Sequence, residues 1–186
     1  MNVKATTPIK ITEKIIDFCK KISNKDPFYV EVSSAGKVGE CYLNCINYVE
    51  ENPGSTIIWG WTVWEGSHIL ELEHHSIVKL KNETYLDPTT TADGENKILF
   101  LPHLDLPPVI TIIDNIGLRV FAGASYANVI YPNKIFDNIK PFMVMCSYDL
   151  EHAHKKLDIY RANISQEGSI KIEAEKIKDF INGLKF

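Results

Sequence analysis

A thiol, an imidazole and a carboxylate succeed one another along residues 39–90 of this chain, as Cys41, His75 and Asp87. These three groups can perform acyl transfer. A thiolate attacks carbonyl carbon, an imidazole moves the protons, and a carboxylate orients the imidazole. The thiol must ionise first, and a helix N-terminus favours this through unpaired N–H groups and the helix dipole. Cys41 stands where such a helix should begin. Residues 41–51 read as helix, closed by the stop signal Asn52-Pro53-Gly54 and preceded by the small-residue loop Ser33-Ser34-Ala35-Gly36. Gly39 would let a substrate approach the backbone closely, and amides near Cys41 could stabilise an oxyanion. Cys45, one turn further in, continues toward the apolar side and is the weaker nucleophile.

The partners of Cys41 depend on a hairpin. His75 falls in a strand-like run that ends near Leu80, and Thr84 to Asp87 form the returning strand before Pro88. A turn centred on Lys81 places Asp87 directly opposite His75, about 4.5–5.5 Å apart at Cβ. Centred on Asn82, it places Asp87 opposite Ile77 and diagonal to His75, about 7–8 Å away but on the same face. A slip of one residue would separate the two side chains onto opposite faces.

Other polar residues cluster in the same stretch. Glu40 and Gly39 precede the thiol, and Asn44 lies one turn after it on nearly the same helix face, suited to holding substrate or an oxyanion or merely to tying down a loop. Trp61 and Trp64, three apart in a strand, face opposite ways, so one is expected in the core and the other along a substrate groove. Glu73 is suited to binding an amine or pairing with a lysine. His74 should point away from His75, toward solvent. A metal could be held by Cys41, Glu73, His75 and Asp87, or by Cys146, His152 and His154, but neither set has a recognised ligand spacing. No cofactor is expected: the phosphate-binding glycine patterns are absent, and residues 117–123 lack dinucleotide-site spacing.

The elements that must position these residues follow from periodicity. Residues 12–23 form an amphipathic helix with Thr12 as N-cap. Residues 28–32, 56–65, 68–80, 84–87, 97–101, 109–113 and 118–121 read as strands, and residues 149–161 and 170–184 as helices. Helices, then a meander of strands, then helices imply an α+β fold. Its expected form is N-terminal helices packed on an antiparallel β-sheet, with a C-terminal helical section over 145–186. At 186 residues and 45% hydrophobic content, one domain with a real core is expected, with residues 39–102 as the catalytic part. A net charge of -4 with no basic run argues against a nucleic-acid partner. The lack of a signal-like N-terminus or a long apolar run points to no membrane and a cytoplasmic protein with reduced thiols.

The order Cys41, His75, Asp87 resembles that of the transglutaminase-like and papain-like superfamily, and Tyr85-Leu86-Asp87-Pro88-Thr89 is similar to the aspartate motif of transglutaminase-like domains. The chain more closely resembles an uncharacterised group of bacterial and phage proteins. The shared pattern is Gly39-Glu40-Cys41-x-x-Asn44, Gly60-Trp61-x-x-Trp64-Glu65, Glu73-His74-His75, Leu86-Asp87-Pro88-Thr89 and Ile98-Leu99-Phe100-Leu101-Pro102. The superfamily resemblance implies a cysteine hydrolase or acyltransferase with a papain-like core, acting on an amide, ester or thioester in a small molecule or protein. The alternatives are a ligand- or protein-binding module that makes no bonds, and a metal-binding protein.

Overall fold

The computed structural model describes residues 5–67, 69–104, 109–112, 118–129, 135–145 and 150–163. The first element, α1 (Glu13–Lys20), begins as its cap requires: the Ile15 N–H donates to Thr12 Oγ1 at 3.4 Å. Thr12→Ala is therefore expected to cost about 1 kcal/mol, a fall of roughly 2–4 °C in the thermal midpoint of a chain this size, read by a calorimetric or circular-dichroism melt. The helix buries Ile15, Phe18 and Cys19 and is followed by β1 (Phe28–Gly36). The helix that begins at Cys41, α2, spans Cys41–Glu51.

Strands dominate from there: β2 (Thr56–Glu65), β3 (Ile69–Lys79), β4 (Tyr85–Thr89), β5 (Lys97–Pro102), β6 (Val109–Ile112), β7 (Leu118–Val129) and β8 (Ile135–Met145), before α3 (Leu150–Asn163). The order β2-β5-β1-β4-β3, with β3 pairing back to β2, closes a five-stranded barrel. Within the ring only β1 and β4 run parallel. The strands β7, β6 and β8 extend the sheet from β3.

The barrel interior is filled by Val30, Ile58, Ile77, Ile98 and Phe100. Outside, α1 covers Trp61, Val63, Leu70, Leu72, Leu99 and Leu101. Elsewhere α2 packs on Ile57 and Val78, joined by Leu157 of α3, while Glu50 pairs with Lys155 and Lys156. A strand buried on both faces needs few polar residues, which explains residues 57–63, all buried, with Thr62 the one polar side chain.

The expected architecture is thus corrected. Among the described residues the structure is mostly β, a closed barrel with few short helices, and not helices packed on an antiparallel sheet with a helical C-terminal section. Two misread stretches account for much of the difference. Residues 33–36, taken for a loop because they are small, continue β1 beside β4, with Gly36 opposite Thr89. Residues 118–145 hold two long strands disguised by Gly123 and Pro141. The register shifts between Ala122 and Ala124, where Gly123 accommodates a bulge. Pro141 sits in β8, which among the described residues pairs only with β7 and so lies on an edge. The predicted helix 170–184 lies outside the described residues. Among the described residues, no helix is long and apolar enough to cross a membrane.

Candidate active site

The hairpin turn is centred on Asn82. Val78 pairs with Leu86 and Lys79 with Tyr85, so the alternative centred on Lys81 is not the one formed. The local chemistry explains the choice. The Asn82 carboxamide oxygen accepts from Thr84 N at 3.2 Å and Thr84 Oγ1 at 2.7 Å, and Glu83 takes a left-handed backbone, φ 69°. Asp87 is therefore diagonal to His75, and the side chains close the gap: His75 Nε2 and Asp87 Oδ2 lie 2.8 Å apart. Asp87 is 1% exposed, and its Oδ1 accepts the Thr89 N–H at 2.8 Å. With one imidazole nitrogen turned to Asp87, the other is left for Cys41, which lines the same cavity and acts electrostatically on the ring.

Cys41 is the first residue of α2. Its N-cap, Glu40, makes no side-chain capping bond, so the first-turn amides and the positive end of the dipole are left to act on the thiol. Burial disfavours charge on His75, but the Asp87 carboxylate and the neighbouring Cys41 sulfur outweigh it, holding the imidazole well above the usual histidine range. The other described thiols are kept neutral. Burial pushes Cys19 up to about 12. Burial, reinforced by the charges of Asp87 and Cys41, raises Cys45 well above the usual range.

Cys41, His75 and Asp87 line a cavity of about 390 Å³, together with Gly39, Trp64 and Glu73 from the sequence-based candidates. Gly39 has φ +77°, with open space where a Cβ would stand. Trp61 belongs to the core under α1. Glu40 stays outside the cavity, 3.9 Å from Lys37 Nζ in an exposed pair. Asn44 braces a loop. It donates to Lys37 O (2.7 Å) and Thr89 Oγ1 (3.2 Å) and accepts from Lys37 N (3.1 Å), so its carboxamide is committed to the loop after β1 and to β4.

His74 departs from expectation. It is 1% exposed, because the outer face of β3 is covered by helices and does not meet solvent. Tyr42 Oη lies 2.6 Å from His74 Nδ1, with the two rings stacked, while Trp61 meets His74 edge-on and donates from Nε1 to His103 Nδ1 at 2.9 Å. Consecutive helix residues thus engage consecutive strand histidines, Cys41 with His75 and Tyr42 with His74. Tyr42→Phe removes the hydroxyl between α2 and β3 and is expected to cost about 1–2 kcal/mol, read by urea denaturation.

Sequence reasoning missed Thr62, Glu71 and Thr89 as lining residues. The signal for Glu71 was present, since Glu71, Glu73 and His75 alternate along one strand face. Among the described residues no group of three or more His, Cys, Asp and Glu is arranged to hold a metal ion. Cys146 of the second metal set lies outside the described residues. No family model, no curated protein and no solved structure matches this chain.

Proposed function

We propose that this protein is a cysteine-dependent hydrolase or acyltransferase acting on an amide, ester or thioester. The observation that carries the reading is the Cys41–His75–Asp87 relay, with its 2.8 Å imidazole–carboxylate contact, opening into a cavity. The resemblance in residue order to transglutaminase-like enzymes supports the chemistry, independently of the architecture.

In this mechanism the Cys41 thiolate attacks the carbonyl carbon, forming a C–S bond while the carbonyl electrons move onto oxygen. Backbone amides at the start of α2 stabilise that oxyanion. His75, protonated because Asp87 and the thiolate favour its charge, gives its proton to the leaving nitrogen or oxygen as the bond to carbon breaks. Water or an acceptor amine or alcohol then attacks the thioester, passing its proton to His75 as the thiolate departs. Asp87 keeps Nε2 protonated throughout, so that Nδ1 is the nitrogen that exchanges protons with sulfur.

Alkylation with iodoacetamide, located by peptide mapping across pH, tests the reading. Cys41 should react at neutral pH, and faster than the buried Cys19 and Cys45. A Cys41 that reacts no faster than those two would sink the proposal. His75→Ala should slow the alkylation of Cys41, because the imidazole that assists the thiol is gone.

A further inference from the structure

The reactive pair sits at one end of a column of facing residues. In the β2–β3 ladder Gly60 pairs with His75, Thr62 with Glu73 and Trp64 with Glu71, so all six share one face. All but Gly60 line the cavity. Two residues along a strand advance about 6.6–6.8 Å, which puts Glu73 one such step from His75 and Glu71 two. No lysine or arginine lines the cavity among the described residues. Its side chains past His75 therefore form a negative wall with no built-in counter-ion.

Two further features point to a ligand. Thr62 is 1% exposed, faces Glu73, lines the cavity, and its hydroxyl makes no hydrogen bond among the described residues. That hydroxyl meets the cavity and can bond a ligand that enters. Glu73 is held in place: Trp64 Nε1 donates to its Oε2 at 3.0 Å, which fixes one carboxylate oxygen and leaves the other to a ligand, with the indole beside it. Burial first, and Glu73 second, raise the Glu71 carboxyl, a repulsion that an incoming cation would relieve.

We propose that the cavity takes an acyl donor carrying a protonated amine or guanidinium one to two strand steps from its reactive carbonyl, with Glu73 as the main counter-ion, Glu71 as the second, and Thr62 as a polar contact between cation and carbonyl. The proposal rests on Cys41 being the nucleophile. The cation acts on binding and orientation alone. The covalent step remains attack by the Cys41 thiolate, with a C–S bond made and the leaving group's bond broken.

Three p-nitrophenyl esters of matched length test it: 6-aminohexanoate, hexanoate and the half-ester of adipic acid, cationic, neutral and anionic in turn. Acylation of Cys41 releases p-nitrophenolate, and Cys41→Ser measures the background. The cationic ester should react about 10–100-fold faster than the neutral one, and the anionic one slowest. Glu73→Gln should bring the cationic-to-neutral ratio close to one, with Glu71→Gln lowering it less. As a readout free of turnover, n-butylammonium should slow iodoacetamide labelling of Cys41 in the wild type and not in Glu73→Gln. Equal rates for the three esters, at a Cys41 that passes the alkylation test, overturn the cation proposal and leave the nucleophile standing. A Cys41 that fails the alkylation test overturns both.

Discussion

Asp87→Asn should lower ester turnover about 10³–10⁴-fold, the scale of losing the orienting carboxylate of a relay, while the protein stays folded. Asp87 serves two partners, accepting Thr89 N–H through Oδ1 and His75 Nε2–H through Oδ2, each at 2.8 Å. Asparagine can keep only one oxygen. If that oxygen stays on Thr89, the carboxamide NH₂ faces Nε2, which must then be the unprotonated nitrogen. The proton moves to Nδ1, the side facing Cys41, and the imidazole can no longer take a proton from sulfur.

The same substitution should leave a mark on stability. His75 in the folded protein lies well above its ordinary value. Its contribution is therefore fully present below the unfolded value of about 6.5 and is lost as pH rises through the raised folded value. Melts of the wild type between about pH 6 and about pH 9 should show this decline, and Asp87→Asn should flatten it. An asparagine variant that turns over at the wild-type rate would mean that the His75–Asp87 contact is structural only.

Gly60→Ala should be the most damaging single methyl group in the barrel. Its Cβ would collide with the carbonyl oxygen of Leu101 and stand 2.9 Å from both Phe100 Cζ and Pro102 Cα. Two of those contacts are backbone atoms of β5, which cannot step aside without opening the β2–β5 seam that closes the ring. The expected loss is about 3 kcal/mol or more, the upper end of overpacking costs, with a fall of roughly 6–12 °C in melting temperature or failure to express as soluble protein. Gly39→Ala is the control: nothing lies within 4 Å of its Cβ, and only the φ of +77° is strained. It should cost about 1–2 kcal/mol. A Gly60 variant as stable as the Gly39 variant would contradict the closed ring.

The parts legible in the sequence were local. The Thr12 cap, the stop at Asn52-Pro53-Gly54 and the apolar face of α1 each act within a few residues, and they delimit the helices. The juxtaposition of Cys41, His75 and Asp87 needed only one helix start and one hairpin. The choice between Lys81 and Asn82 as turn centre did not follow from pattern, because it rests on Glu83 accepting a left-handed backbone that a non-glycine residue pays for in strain. The ring itself was illegible: β1 against β4, β2 against β5 and β2 against β3 are pairings that no short-range period encodes. Asn44 shows the same limit. Its carboxamide packs where a Gly36 side chain would stand, a fit between two elements that neither residue announces alone.

The paired attachment of α2 to β3 has a consequence for how this site can vary. Cys41 meets His75 in the cavity while Tyr42 meets His74 on the outer face, so a single helix turn is pinned to one strand at two adjacent points on opposite sides. Sliding that strand by one residue would not loosen the thiol–imidazole pair gradually. It would trade the two histidines between cavity and core in one jump, stranding the aspartate. Geometry of this kind is inherited in whole steps, and small adjustments of reactivity must come from the cavity wall and not from the pair itself.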